Sequence, residues 1–178
     1  LPIAFKKQGK TIIGEAELGA MYLRANVVAV TGTNGKTTTV SMLNSVLLNA
    51  GMNSVACGNI GTPIVGEVEN LGLDDYAVAE ISSFQLETLS SLRPHIAIVT
   101  NITEDHLNRH YNMENYIFLK RKILKNLRES EYAVLNYDDE EVRNFAQHTK
   151  AKVVFFSLNS PTDGAYYENG AIYFNGEK

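Results

Sequence analysis

The chain has 178 residues, 44% of them hydrophobic and 20% charged, an ordinary globular composition with length enough for one domain and a sizeable core. Sixteen Lys and Arg against twenty Asp and Glu leave a formal charge of −4, which disfavours nucleic-acid binding, and no apolar run approaches the ~20 residues of a membrane span. One cysteine, Cys57, cannot close an internal disulfide and no signal-peptide pattern opens the chain, so a reducing cytoplasm is the expected compartment.

Leu1 is not an initiator methionine, and a piece of a longer polypeptide is expected. Residues 1–24 offer one short strand, Thr11–Ile13, between two helical patches, too little to close a core. From Val27 onward, buried-type runs alternate with amphipathic stretches. The runs are Val27–Thr31, Ser54–Cys57, Tyr76–Ile81, Ile96–Thr100, Tyr132–Asn136 and Lys152–Phe156, rich in Val, Ile and Ala. Helical spacing is read at Lys36–Ala50, Pro63–Asn70, Phe84–Leu92, Asn112–Arg128 and Asp138–His148. This order predicts an α/β fold, a mostly parallel doubly wound sheet with helices on both faces. The segment Tyr166–Phe174 predicts a closing hairpin turning at Asn169-Gly170.

Thr31-Gly32-Thr33-Asn34-Gly35-Lys36-Thr37-Thr38 follows a buried strand and opens a helix, the context in which a glycine loop cradles phosphate. Gly32 and Gly35 let amides turn inward, and the helix N-terminus adds partial positive charge. Lys36 would reach the terminal phosphates, and the Thr37 hydroxyl would ligate Mg²⁺. Val30 stands where the strict phosphate-loop pattern has glycine, so the loop is a variant.

A metal-holding acid is expected at the end of a neighbouring strand, and Glu80 is there; the competing reading is a carboxylate that starts a helix. His106 follows another strand, Ile96–Thr100, at the same carboxyl edge, while Glu104 and Asp105 fit a cap for a helix from Thr103. His95, His110 and His148 carry no such signal. On the Asn112–Arg128 helix, Lys120 falls within the apolar stripe of Tyr116, Ile123, Leu124 and Leu127, whereas Lys122 and Lys125 point to solvent. A lysine there either snorkels to water or is desolvated enough to lose its proton and react with CO₂, giving an oxygen ligand suited to a hard cation.

With these residues assembled, the chain resembles the Mur ligases, the ATP-dependent amide-forming enzymes of peptidoglycan precursor synthesis, in their central ATPase domain. Thr31–Thr38 is similar to the family's phosphate loop; folylpolyglutamate synthases share Thr-Gly-Thr-Asn-Gly-Lys but usually continue with Gly-Ser. Gly58–Pro63 and Glu80–Glu87 resemble the D-glutamate-adding branch. The resemblance implies ATP with two Mg²⁺ ions: Gly32 to Thr38 around the phosphates, Lys36 on the γ phosphate, and Thr37 and Glu80 on a metal. It implies that His106 holds a second ion and the nucleotide-sugar, that Lys120 is carbamylated, and that Asn59, Ser82 and Gln85 contact the muramoyl substrate. The implied substrates are UDP-MurNAc-L-alanine and D-glutamate, joined through an acyl phosphate, with a monomer and neither membrane nor nucleic-acid partner expected. Residues 1–25 are expected to be the tail of a UDP-binding domain, and residues 26–178 a central domain incomplete at its C-terminal end. A further ligase domain is expected to be absent, so that full turnover by this piece alone is not. The readings weighed against this one are an ATP-binding switch module and a folylpolyglutamate-synthase-like ligase.

Overall fold

The Val- and Ala-rich runs pair side by side in the computed structural model, which describes residues 8–9 and 11–178. The strands are β1 (Asn26–Thr31), β2 (Ser54–Gly58), β3 (Tyr76–Glu80), β4 (Ile96–Val99), β5 (Tyr132–Asn136), β6 (Lys152–Ser157), β7 (Gly164–Glu168) and β8 (Ala171–Phe174). They form one sheet in the order β2-β3-β1-β4-β5-β6-β7-β8, parallel as far as β7 and antiparallel between β7 and β8. The helices are α1 (Glu15–Tyr22), α2 (Lys36–Asn49), α3 (Ser83–Thr88), α4 (Leu107–His110), α5 (Met113–Arg121) and α6 (Glu140–Asn144). The α/β expectation holds.

Strand periodicity divides the buried residues between two faces. Val27, Ala29, Ala77, Ala79, Ala97, Ala133 and Leu135 meet α1, α3, α5 and α6 through Ala16, Leu86, Tyr116 and Val142. On the other face Val28, Val30, Val78 and Ile98 meet Val40, Leu43 and Leu47 of α2, which supplies all the helical residues of that cluster among the described residues. Helices do cover both faces, unequally.

The chain leaves β1, passes β3 to form β2, returns for β3, and crosses to β4 on the far side of β1. The strand order therefore reverses at β1, and a crevice opens at the carboxyl ends of β1, β3 and β4, where ligands of open α/β sheets bind. Register pairs Val30 with Glu80 and Thr31 with Val99, placing three loops at one level. A parallel pair without a crossover helix joins β6 to β7, because they overlap only from Phe155–Gly164 to Ser157–Tyr166. The hairpin turns at Asn169 (φ 49°) and Gly170 (φ 79°), as expected.

Several expected elements differ. Thr11–Ile13 is exposed coil rather than strand, and the helical patch before it lies outside the described residues apart from 8 and 9. Pro63–Asn70 yields only a 3₁₀ turn, Ile64–Glu67, where the Thr62 hydroxyl donates to Glu67 Oε1 (2.5 Å). Helix α3 stops at Thr88 because buried Glu17 of α1 accepts the Ser90 amide (2.7 Å), the Ser90 hydroxyl (2.7 Å) and the Ser91 amide (3.0 Å), which would otherwise continue the helix. Helix α5 gives way to a 3₁₀ turn at Lys122–Leu124. Lys122, expected in solvent, is half-buried and donates to the Leu86 and Glu87 carbonyls that end α3. Asp138–His148 divides into α6, capped by Asp139, and a 3₁₀ turn at Phe145–His148. No helix starts at Thr103; the chain bends, and α4 begins after His106. No helix among the described residues is long and apolar enough to cross a membrane.

Candidate active site

The loop after β1 is tied to the end of β4 by side chains and backbone alike. The Thr33 amide donates to the Asn101 carbonyl (2.9 Å), the Asn34 amide to Asn101 Oδ1 (2.9 Å), and the Thr100 hydroxyl to the Asn34 carbonyl (2.7 Å). Gly32 sits at φ +147° so close to β4 that a Cβ would lie 1.9 Å from Thr100 Oγ1. Gly35 is the N-cap of α2 in a left-handed conformation, and a Cβ there would meet nothing within 4 Å. No side chain caps α2. Its first-turn amides and the open space beside Gly35 are an arrangement that can take an anion. Thr38 stands in that first turn and is exposed. In this state Lys36 Nζ folds back on its own loop, donating to the carbonyls of Gly32 (3.0 Å) and Thr33 (2.8 Å).

Glu80 is buried at the end of β3 and accepts from Thr37 Oγ1 (2.7 Å) and Asn59 Nδ2 (2.8 Å). The helix that follows is started by Ser82 instead, whose hydroxyl accepts the Gln85 amide (3.3 Å) while Gln85 Oε1 accepts the Ser82 amide (2.9 Å), a reciprocal capping box. The Ser82 hydroxyl and Gln85 Oε1 are thereby engaged with each other.

Lys120 is 2% exposed and donates to the Gly32 carbonyl (2.6 Å), with Thr31 Oγ1 at 3.4 Å and the Tyr116 ring centroid 5.2 Å away. It does not snorkel. Burial first, then the nearby Lys36 cation, pull its amine down to about 7. Lys36 and Lys120 share the Gly32 carbonyl, so loss of a proton from Lys120 relieves a crowded pair of cations.

His106 occupies a left-handed conformation (φ 53°), with its ring 4.9 Å from that of Phe84 and Nε2 3.4 Å from Asp105 Oδ2. A narrow cleft of about 110 Å³ gathers Lys36, Asn59, Ser82, Ser83, Phe84, Asp105, His106, Tyr116 and Lys120. Glu80 and Thr37 reach its border through the Asn59 and Thr37 hydrogen bonds, whereas Gln85 stays off its wall. Among the described residues no three His, Cys, Asp or Glu side chains gather into a metal cage. Thr37 and Glu80 nevertheless present hard oxygens side by side, the donor type Mg²⁺ takes. A wider hollow of about 660 Å³ beside α5, lined by Phe118, Arg121, Lys125 and others, holds none of these groups.

Sequence reasoning passed over His110. It is 3% exposed, its Nε2 lies 3.0 Å from Ser83 Oγ, and its ring lies against those of Phe84 and Tyr116. No spacing rule marks it, because its partners are 26, 27 and 6 residues away in the chain.

Residues 30–177 match the family model described as the Mur ligase middle domain. A UDP-N-acetylmuramoylalanine–D-glutamate ligase of Caldanaerobacter subterraneus subsp. tengcongensis is 46% identical over 97% of this chain and 39% of its own length. That of Clostridioides difficile is 43% identical over 96% of this chain and 38% of its own. The chain thus spans under two fifths of the length of these curated relatives. The crystal structure of a MurF ligase from Thermotoga maritima in complex with ADP superimposes with a TM-score of 0.65 at 22% identity, covering 88% of this chain and 39% of that one, a likeness of fold.

Proposed function

The chain belongs to the Mur ligase family, and from that premise we propose that it is the nucleotide-binding portion of a ligase that joins D-glutamate to UDP-MurNAc-L-alanine at the expense of ATP. The single observation that carries the reading is the convergence of Lys36, Asn59, His106 and Lys120 on one cleft beside the Thr37–Glu80 pair. The D-glutamate specificity is supported by relatives of that name at 43–46% identity. Residues 26–178 are the central ATP-binding part in this reading, and residues 1–25 belong to the end of a preceding UDP-binding part.

A carboxylate oxygen is a poor leaving group, so the substrate must be activated. Its oxygen bonds to the γ phosphorus as the bridging P–O bond breaks and ADP departs. The D-glutamate amine then adds to the acyl carbon, phosphate leaves, and the amine proton passes to solvent. Two anions meet in the first step, and Lys36 released from the Gly32 and Thr33 carbonyls would neutralise charge on the transferring group. The Thr37 hydroxyl and Glu80 carboxylate would hold Mg²⁺, which screens the phosphate charge when bound. His106, with Lys120 as its carbamate, would hold a second ion, and the depressed amine of Lys120 supplies the neutral nucleophile that carbamylation needs. Asn59 and Ser82 would line the muramoyl side, with Gln85 acting behind them through its bonds to Ser82.

The test is phosphate release from ATP by the full-length protein. Release that requires both UDP-MurNAc-L-alanine and D-glutamate supports the ligase. Hydrolysis indifferent to the muramoyl substrate refutes it and leaves a nucleotide switch; release driven by a folate substrate refutes it in favour of a folylpolyglutamate-type enzyme.

A further inference from the structure

A column of four rings runs along one side of the cleft. His106 lies 4.9 Å from Phe84, Phe84 5.5 Å from His110, and His110 5.4 Å from Tyr116, all between centroids. At its far end the Tyr116 hydroxyl is 3.2 Å from Thr33 Oγ1 in the phosphate loop, and the Tyr116 ring lies 5.2 Å from Lys120 Nζ. The column therefore joins His106, Lys120 and the loop, which come from three separate segments.

His110 occupies the middle and is sealed from water. Glu87 Oε1 is 3.8 Å from Nδ1, too far for a hydrogen bond but near enough to favour the proton on that nitrogen. Nε2 then accepts from the Ser83 hydroxyl at 3.0 Å. Arg109 fixes Glu87 in turn, Nε and Nη2 donating to its two oxygens at 3.1 and 2.7 Å. His106 has few anchors of its own: its side chain is 46% exposed, and its ring rests on Phe84 with Asp105 beside it. Phe84 in turn stacks on His110, with 26° between the ring planes.

We propose that His110 is a positioning residue of the cleft: through the Ser83 hydroxyl and the Phe84 and Tyr116 rings it sets where His106 and Lys120 stand, without itself touching substrate. Two reactive anions brought together in a small cleft tolerate little misplacement, since an error of about 1 Å costs up to ~10²-fold in rate. Besides its contacts with Tyr116 and Lys120, the nucleotide cradle has anchors of its own in Thr100 and Asn101. Loss of His110 therefore acts on the chemical step and spares ATP binding. The kinetic half of this proposal rests on the ligase reading; the geometric half does not.

The experiment compares wild type with His110→Phe, which keeps a ring and drops the Ser83 bond, and His110→Gln, which keeps an acceptor and drops the ring, in the full-length protein. The readouts are the His106 Cε1–Hε1 resonance, kcat, and KM for ATP. The expected result is a displaced His106 resonance in His110→Gln, kcat lowered about tenfold or more in both variants, and KM for ATP within about twofold. An unmoved His106 resonance in His110→Gln overturns the proposal whatever the rate, as does wild-type kcat in both variants or a loss expressed in KM alone. If wild type shows no ligation, the ligase reading fails and the resonance alone decides the geometry. Should either variant fail to fold, Ser83→Ala removes the same hydrogen bond more gently, and its kcat and KM are judged by the same criteria.

Discussion

Lys120→Met removes the buried amine while keeping length and an apolar stem, and its effect on stability has a definite sign. The amine titrates at about 7 in the folded protein against 10.5 ordinarily, so between those values the unfolded chain binds more protons than the folded one. Stability from this group therefore rises with pH across that window, and the cost of burying the charge is present in full below it. Integrated for a single group with these two values, the gain from pH 6 to pH 9 is about 2–3 kcal/mol. The variant lacks this slope. At pH 6 it also loses the hydrogen bonds to the Gly32 carbonyl and Thr31 Oγ1, about 1–3 kcal/mol, which offsets part of the relief. Urea unfolding in CO₂-free buffer at a series of pH values measures the difference between the two proteins, in which other titrating groups cancel. Wild type should gain on the variant by about 2–3 kcal/mol from pH 6 to pH 9. Parallel curves would refute the depressed amine, and with it the physical ground for carbamylation.

Gly32→Ala puts a methyl group 1.9 Å from Thr100 Oγ1 at φ +147°, and strain with overpacking should cost about 2–4 kcal/mol, seen as a melting temperature lowered by roughly 5–15 °C. An unchanged melting temperature would mean the loop does not press on β4. Lys36→Ala should slow phosphoryl transfer by about two orders of magnitude while leaving the melting temperature near wild type; a loss below tenfold would place the nucleotide elsewhere. Glu17→Gln should destabilise by about 1–3 kcal/mol, since an amide replaces a carboxylate that accepts from Ser90 and Ser91. Burial pushes the Glu17 carboxyl up, but the Ser90 and Ser91 hydrogen bonds outweigh it and hold it below its ordinary value. Its contribution is thus present above pH 4.5 and lost as pH falls through the folded value, a dependence that acid titration of the variant should lack.

Much was legible in the chain because it is local. Residues buried on both faces read as continuous apolar runs, so β1, β3 and β4 could be located from composition alone. The glycine loop was recognisable from the strand before it and the helix after it, and Lys120 from its place on a helical stripe, which the structure buries. Helix ends were misread where a distant group intervenes: Glu17 halts α3 from 73 residues away, and Lys122 closes it from 36. Only the tertiary structure decided that β3 and β4 flank β1, so that Glu80 meets Thr37 across 43 residues and Asn101 clasps Asn34 across 67. It alone brought His110 between Phe84 and Tyr116. Periodicity reports which side of an element is buried, but strand order is set by which crossover buries the most surface without crossing another, and that competition has no local trace.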